Sequence, residues 1–408
     1  MNIRIDMDRL RRDLEELGRI GRDDRGGITR PSFSAADLEA RAWLRDKIEE
    51  AGLCYRQDGA GNQFGRLECG GKTVLVGSHI DTVPSGGMFD GAAGVLAALE
   101  AARRIVEEKV PLGKAVEVAS FTDEEGNLVG DFLGSRAFMG LLDENEVRGG
   151  RTSFGLPFAE VLKKTGFTAD GILGAGRERP ELEAYLELHI EQGPVLEDEG
   201  VPIGIVERIA GKQYRQCAYV GESGHAGTTP LELRHDAFLG LADLALRATQ
   251  LVATRYYGSV LTVGRAVLHP GLFSVIPGRA DFTLEFRSAS AETMAAIERD
   301  VFALAEDIAA TRGLTFLSKI VDRTAPVAVA PRIVAAIEAE CRSLGYPSMR
   351  LTSGAGHDAQ IIASGCDAGM IFIPSPDGVS HTPDERVDWD DLEKGANLLL
   401  ATILRLAS

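Results

Sequence analysis

Short uninterrupted apolar runs alternate along this chain with stretches of helical periodicity, and several of the runs end on histidine or carboxylate. Leu10, Leu14, Leu17 and Ile20 predict an amphipathic helix over residues 5–25. Ser34 is placed to cap a second helix, which carries Trp43, Leu44 and Ile48 and stops near Gly52. Residues 53–57 and 62–68 read as short strands around the turn-rich stretch 58–62. A buried strand from Val74, a helix over 92–109 and a strand over 115–121 follow, an order that predicts a parallel sheet covered by helices. Residues 141–181 show only partial helicity, whereas 183–188 and 203–209 read as strands.

From Gly211 the order is strand (214–220), helix (235–255), strand (259–267), strand (280–286), helix (291–312) and strand (314–321). That is the ferredoxin-like split motif, inserted whole. A helix over 332–344, a strand over 368–373 and a helix over 389–406 return to the first domain. The expected fold is α/β: a mixed, mostly parallel sheet covered by helices, with an inserted ferredoxin-like α+β domain. The expected boundaries are 1–210 and 328–408 for the sheet domain and 211–327 for the insertion.

Charge sharpens this division. The net charge is −17, yet residues 211–327 hold 12 basic and 12 acidic residues, leaving 32 against 49 in the rest. An acidic chain without a basic footprint argues against nucleic acid as a partner. No stretch reads as 18 uncharged apolar residues, so no membrane span is expected. The charged start, Met1 to Arg12, lacks the apolar segment of a secretory signal. Cys54, Cys69, Cys217, Cys341 and Cys366 are odd in number and scattered, as suits reduced thiols, and a cytoplasmic location is expected.

The chemistry lies where apolar runs stop. His79 and Asp81 stand at i and i+2, so their side chains point the same way at a strand's C-terminal end. Ligands of open α/β sheets bind there, and a carboxylate beside a histidine can hold its second nitrogen. Asp90 follows in a glycine-rich turn, Thr122-Asp123-Glu124-Glu125-Gly126 ends the 115–121 strand, and His189 and His381 end two further segments. Imidazoles with carboxylates are borderline N/O donors that suit Zn²⁺, Mn²⁺ or Co²⁺. A pair of such ions needs a bridging carboxylate, and Asp90 in its tight turn is a natural one. Adjacent glutamates cannot both face one ion along a regular strand, so one can ligate while its neighbour faces the bound water and takes its proton.

Together these residues resemble the dinuclear metal-dependent amidases of the hydantoinase/carbamoylase family, which are similar to aminoacylases and zinc exopeptidases. The resemblance spans nearly the whole chain. It is carried by Gly77-Ser78-His79-Ile80-Asp81, Thr122-Asp123-Glu124-Glu125-Gly126, His189-Ile190-Glu191-Gln192-Gly193-Pro194 and Ser380-His381. It implies a zinc-exopeptidase-like sheet domain with a lid and dimerisation insertion, two divalent cations per subunit, and a homodimer. His79 and His189 would serve one ion, Glu125 and His381 the other or the shared shell, with Asp90 bridging, Asp81 behind His79 and Glu124 as general base. His225, in Gly224-His225-Ala226-Gly227, would steady the transition state, and Arg287 would clamp a substrate carboxylate. Gln192 and the Gly354-Ala355 backbone would help hold the substrate; His357 receives no role.

One departure falls beside the clamp. Amino-acid-type amidases of that family commonly carry Asn in N-V-I-P-G, where this chain has Ser274-Val275-Ile276-Pro277-Gly278. The implied activity is hydrolysis of the C–N bond of a small N-carbamoyl or related N-acyl amino acid by metal-bound hydroxide. An aminoacylase or dipeptidase-type exopeptidase is the alternative. A non-catalytic binding protein would require a lost ligand or base, and none is missing from the set.

Overall fold

The computed structural model describes residues 3–408. The chain divides into two compact units. One contains the residues up to Glu207 together with Val329–Ser353 and His357–Ser408; the other contains Arg208–Ala328 and Gly354–Gly356.

The first unit is built on a sheet formed from β1 (Cys54–Gln57), β2 (Gln63–Leu67), β3 (Thr73–His79), β4 (Ala115–Phe121), β5 (Leu182–Ile190) and β6 (Ile203–Ile209). Its remaining strands come from later in the chain. The spatial order begins β1-β2-β4-β3-β5 and continues through the strand Ala368–Ile373 to β6. The sequence led us to expect a mostly parallel sheet, and here the structure differs. Parallel pairing is confined to the centre, where β3 joins β4 and β5, and β5 joins Ala368–Ile373. The flanks are antiparallel. The cause is connection length: a tight turn at 58–62 can only reverse the chain, whereas the central strands return through helical crossovers.

Strands β3 and β4 are buried along their whole length, as are the last seven residues of β5. Helix α1 (Met7–Leu17) and helix α2 (Ala35–Glu50) are capped by Asp6 and Ser34, whose side chains accept from Arg9 N and Asp37 N. Helix α3 (Ala92–Glu107) covers the sheet with Val95, Leu96, Leu99 and Ile105, all essentially buried. Each such side chain contributes about 1.5–3 kcal/mol. Its first turn approaches the sheet so closely that a Cβ on Gly91 (φ 62°) would enter the His79 ring. Only glycine fits there. Helix α1 is tied to α3 by crossed ion pairs, Arg9 on Glu100 and Glu107, and Asp13 on Arg103.

In the second unit, β7 (Gly211–Val220) lies between the strands Arg279–Ser288 and Thr315–Thr324, all antiparallel, with Ala266–His269 outside. The expected single strand over 259–267 is broken into Val260–Thr262 and Ala266–His269. Helices Ala237–Arg255 and Ala291–Arg312 pack Leu241, Leu244, Val252, Ile297 and Val301 onto Tyr219, Phe282 and Phe286. Helix Ala237–Arg255 is long and apolar enough to cross a membrane by length and composition, although Asp243 and Arg247 interrupt it. Its Ala237, Leu241, Leu244, Ala248 and Val252 face the core, and its Asp243 pairs with Arg312, as suits a core helix.

Candidate functional site

The parallel register of the first unit brings the strand ends together. His79 lies beside Phe121 at the ends of β3 and β4, and His189 lies beside Phe372 in the pairing of β5. The His79 and His189 rings stand 6.0 Å apart between centroids. Each is oriented from behind by a backbone carbonyl: His79 Nδ1 faces Asp81 O at 3.0 Å, and His189 Nδ1 faces Ile190 O at 2.8 Å. In the neutral tautomer with the proton on Nδ1, each ring turns its Nε2 lone pair into the site, as a metal ligand requires. The Asp81 carboxylate itself lies 3.6 Å from His79 Nδ1. It accepts instead from the backbone of Glu124 and Glu125, at 3.3 and 3.4 Å.

Asp90 stands at the middle. Its Oδ1 lies 3.2 Å from His189 Nε2 and 3.7 Å from His79 Nε2, while Oδ2 lies 3.1 Å from His381 Nε2. Candidate ligand atoms within 4.8 Å of one another form the sets His79, Asp90, His189 and Asp90, Glu125, His381, with Asp90 common to both. A further set joins His79 to Glu124 and Glu125, and Glu124 Oε2 lies 3.7 Å from His79 Nε2.

Burial governs the charges. It drives the Glu124 carboxyl well above its usual range, with the neighbouring Glu125 adding to the effect. It does the same to Glu125, assisted by Asp90, and carries Asp81 up to about 7. Burial pushes His79 down to about 4. Burial would lower His189 too, but its hydrogen bond to Asp90 and the charge of that carboxylate carry it up to about 9. Asp90 itself is held well below the usual carboxylate range, because the contacts of His189 and His381 outweigh its burial. Glu125 Oε1 is buried with no hydrogen-bond partner among the described residues. A buried acceptor without a donor, beside imidazoles whose Nε2 atoms face inward, is a donor set that could hold a metal ion.

Several groups that hold this arrangement were not singled out from the sequence. Asp123, at φ 58°, accepts from Asn127 N and Leu128 N and so fixes the turn behind the glutamate pair. Glu187 is buried behind His189, accepting from Ser78 Oγ at 2.7 Å and Ala359 N at 2.9 Å. His357, without a role in the sequence reading, sets its ring tilted 4.5 Å from that of His189 between centroids and shares a 2.9 Å contact with Ser353 Oγ. Glu385 accepts from the backbone of Phe89 and Asp90. Arg30 is fully buried with its guanidinium on the carbonyls of Ile80, Leu17 and Ile20. Gln192, expected on the substrate, turns its amide onto Asp90 Oδ2 at 2.9 Å. Both Gln192 and His381 have left-handed backbones, φ 59° and 60°.

The other expected residues belong to the second unit. His225 pairs in register with Val275, and its Nδ1 accepts from Gly227 N and Thr228 N at 3.0 and 3.2 Å. A neutral ring so held carries its proton on the exposed Nε2. Ser274 sits at φ 63°, and its carbonyl accepts from Ala226 N. Arg287 is engaged by Glu285 Oε1 at 2.5 Å, the Gly354 carbonyl at 2.9 Å and Tyr214 Oη at 3.4 Å.

Residues 75–405 match peptidase family M20/M25/M40, and the chain belongs to that family. Within it, the chain is one of the hydantoinase/carbamoylase amidases, hydrolases of carbon–nitrogen bonds other than peptide bonds. It is 39% identical to the N-carbamoyl-L-amino acid amidohydrolase of Geobacillus stearothermophilus, over 99% of each chain. It is 33% identical to the allantoate amidohydrolase of Bacillus subtilis, over 97% of this chain and 96% of that one. The crystal structure of a hydantoinase/carbamoylase amidase from Burkholderia multivorans superposes with a TM-score of 0.91 at 33% identity, covering 100% of this chain and 99% of the other.

Proposed function

We propose that this chain is a metal-dependent amidohydrolase that cleaves the C–N bond of a ureido group on a small carboxylic acid, with N-carbamoyl amino acids as the first candidates. The substrate class is supported by relatives named for N-carbamoyl-L-amino acids and for allantoate. The observation that carries the reading is Asp90, whose two oxygens each face a separate set of imidazole and carboxylate donors.

In this reading His79, Asp90 and His189 hold one divalent cation, and Asp90, Glu125 and His381 hold a second. Bound there, such cations act as Lewis acids that make water acidic enough to serve as nucleophile at neutral pH. Glu124, within reach of the same centre but free of a ligand role, accepts the proton of the attacking water and delivers it to the leaving nitrogen. His225 presents Nε2–H as a donor for the oxyanion. Arg287 binds the substrate carboxylate, a guanidinium fork being suited to that anion, and does so by releasing the Gly354 carbonyl. The Gly354-Ala355 backbone contributes further contacts, and Ser274 sets the room left for the acid.

The second unit takes the roles of lid and dimerisation domain. Leu231, Leu233, Leu246, Tyr257, Leu272 and Phe273 are exposed on it, and its balanced charge opposes self-association less than the acidic remainder does, which supports a homodimer. The deciding experiment supplies the protein with Mn²⁺, Co²⁺ or Zn²⁺ and compares N-carbamoyl, N-acyl and dipeptide substrates. Release of ammonia from the carbamoyl compounds supports the proposal. Cleavage of dipeptides or acyl-amino acids alone replaces it with the exopeptidase or aminoacylase reading.

A further inference from the structure

A closed ring of hydrogen bonds runs through Asp90. Glu385 is buried, and its Oε1 accepts the backbone N–H of Phe89 at 2.8 Å and of Asp90 at 3.1 Å. Its Oε2 lies 2.9 Å from Ser380 Oγ. Ser380 Oγ lies 3.2 Å from Gln192 Nε2, and Gln192 Nε2 lies 2.9 Å from Asp90 Oδ2. Donor bookkeeping gives the ring a single direction. Glu385 Oε1 is taken by the two backbone donors, so Oε2 receives the one hydroxyl proton of Ser380 at 2.9 Å, in preference to Asp90 Oδ2 at 3.3 Å. Ser380 Oγ then accepts one proton of the Gln192 amide, and Asp90 Oδ2 accepts the other.

We infer that Glu385 is a positioning residue: through Ser380 and Gln192 it fixes the rotation of the Asp90 carboxylate and ties the turn bearing Asp90 to the loop bearing His381. The backbone amides hold the Asp90 turn from one side, and the Gln192 amide holds the carboxylate from the other. Ser380 precedes His381, so the same ring sets where that imidazole stands. Glu385 also fills the space beside Gly87, where any Cβ would meet its carboxylate. The ring touches Oδ2 and His381 only. Oδ1, facing His79 and His189, is outside it.

Because the inference rests on the two-cation reading, its test must separate the two. Cation-free protein is titrated with Co²⁺, read by visible absorption and by ions retained after gel filtration. Wild type retaining two ions supports the metal reading, and wild type retaining none overturns that reading on its own. In Glu385→Gln the new amide must donate to Ser380 Oγ. The Ser380 hydroxyl proton is then turned toward Asp90 Oδ2, where it competes with the Gln192 amide. Ser380→Ala cuts the ring without changing any charge.

Both variants should keep one ion as firmly as wild type and bind the second about 10–100-fold more weakly. At saturating metal, kcat should fall with KM little changed. Wild-type binding of both ions in both variants overturns the inference. So does equal loss of both ions with a lowered melting temperature, which would make Glu385 a plain structural residue.

Discussion

The Asp81 carboxylate stands 3.6 Å from His79 Nδ1, and it is the Asp81 carbonyl that makes the hydrogen-bond contact to that nitrogen, at 3.0 Å. The carboxylate spends its acceptors on the amides of Glu124 and Glu125. Asp81→Asn should therefore retain its metal, since the orientation of His79 comes from the main chain. It should lower kcat by about tenfold or more through the displaced glutamate pair. Metal analysis beside kinetics checks this, and loss of the ions would return the carboxylate to His79.

Glu124→Gln should keep both ions and lower kcat by roughly two orders of magnitude or more, the cost of a missing general base. If the ions leave instead, Glu124 is the ligand and Glu125 the base. The 3.7 Å approach of Glu124 to His79 makes that a real discrimination.

Ser274 occupies a left-handed backbone, φ 63°, where asparagine is better tolerated than serine. Ser274→Asn should recover part of the ~1–2 kcal/mol that such a conformation costs, visible as a higher melting temperature. It also returns an amide donor to that position, so kcat/KM across carbamoyl amino acids should change. Ser274→Gly separates the effects, relieving the backbone without adding the donor.

Acid should loosen α1 from α3. Glu107 is held down to about 2, first by its hydrogen bond to Arg9. A depressed carboxylate stabilises the fold above its ordinary value near 4.5 and loses that contribution as pH falls toward 2. The stability gap between wild type and Glu107→Gln should be constant above pH 5, shrink below it and close near pH 2. Denaturant melts across that range measure it, and a gap that persists in acid would refute the linkage.

Mixing inactive His225→Ala with inactive Glu124→Gln chains should restore part of the activity if the partner subunit supplies the imidazole. Co-purification of differently tagged chains must first show mixed dimers. Silent mixed dimers would assign His225 to its own chain's site.

Much of this was legible because it was local. Buried strands announce themselves as apolar runs, and a histidine or carboxylate at the end of one needs no distant partner to be noticed. Helix Ala291–Arg312 and strand Ala368–Ile373 lie where periodicity and apolar content put them. Residues 141–181 were opaque because their helices are short, Glu144–Gly149, Phe158–Thr165 and Ala169–Gly174. They close around Phe33, Leu128 and Leu133 from elsewhere in the chain. Glu385 and Glu187 were invisible for the same reason: their meaning lies in an amide 296 residues away and a hydroxyl 109 residues away. The antiparallel flanks were missed because a run of apolar residues carries no direction.

Asp123, Gln192 and His381 present their side chains from a backbone shape that L-residues avoid, at a cost of about 1–3 kcal/mol each. All three flank groups that converge on the same buried charge. A freshly folded chain without cations therefore carries conformational stress at one spot, beside Glu124 and Glu125 carboxyls that burial holds well above their usual range. Its weakest stage is the interval between synthesis and loading, and the loops around residues 123, 192 and 381 are where a protease would enter a chelator-treated protein first.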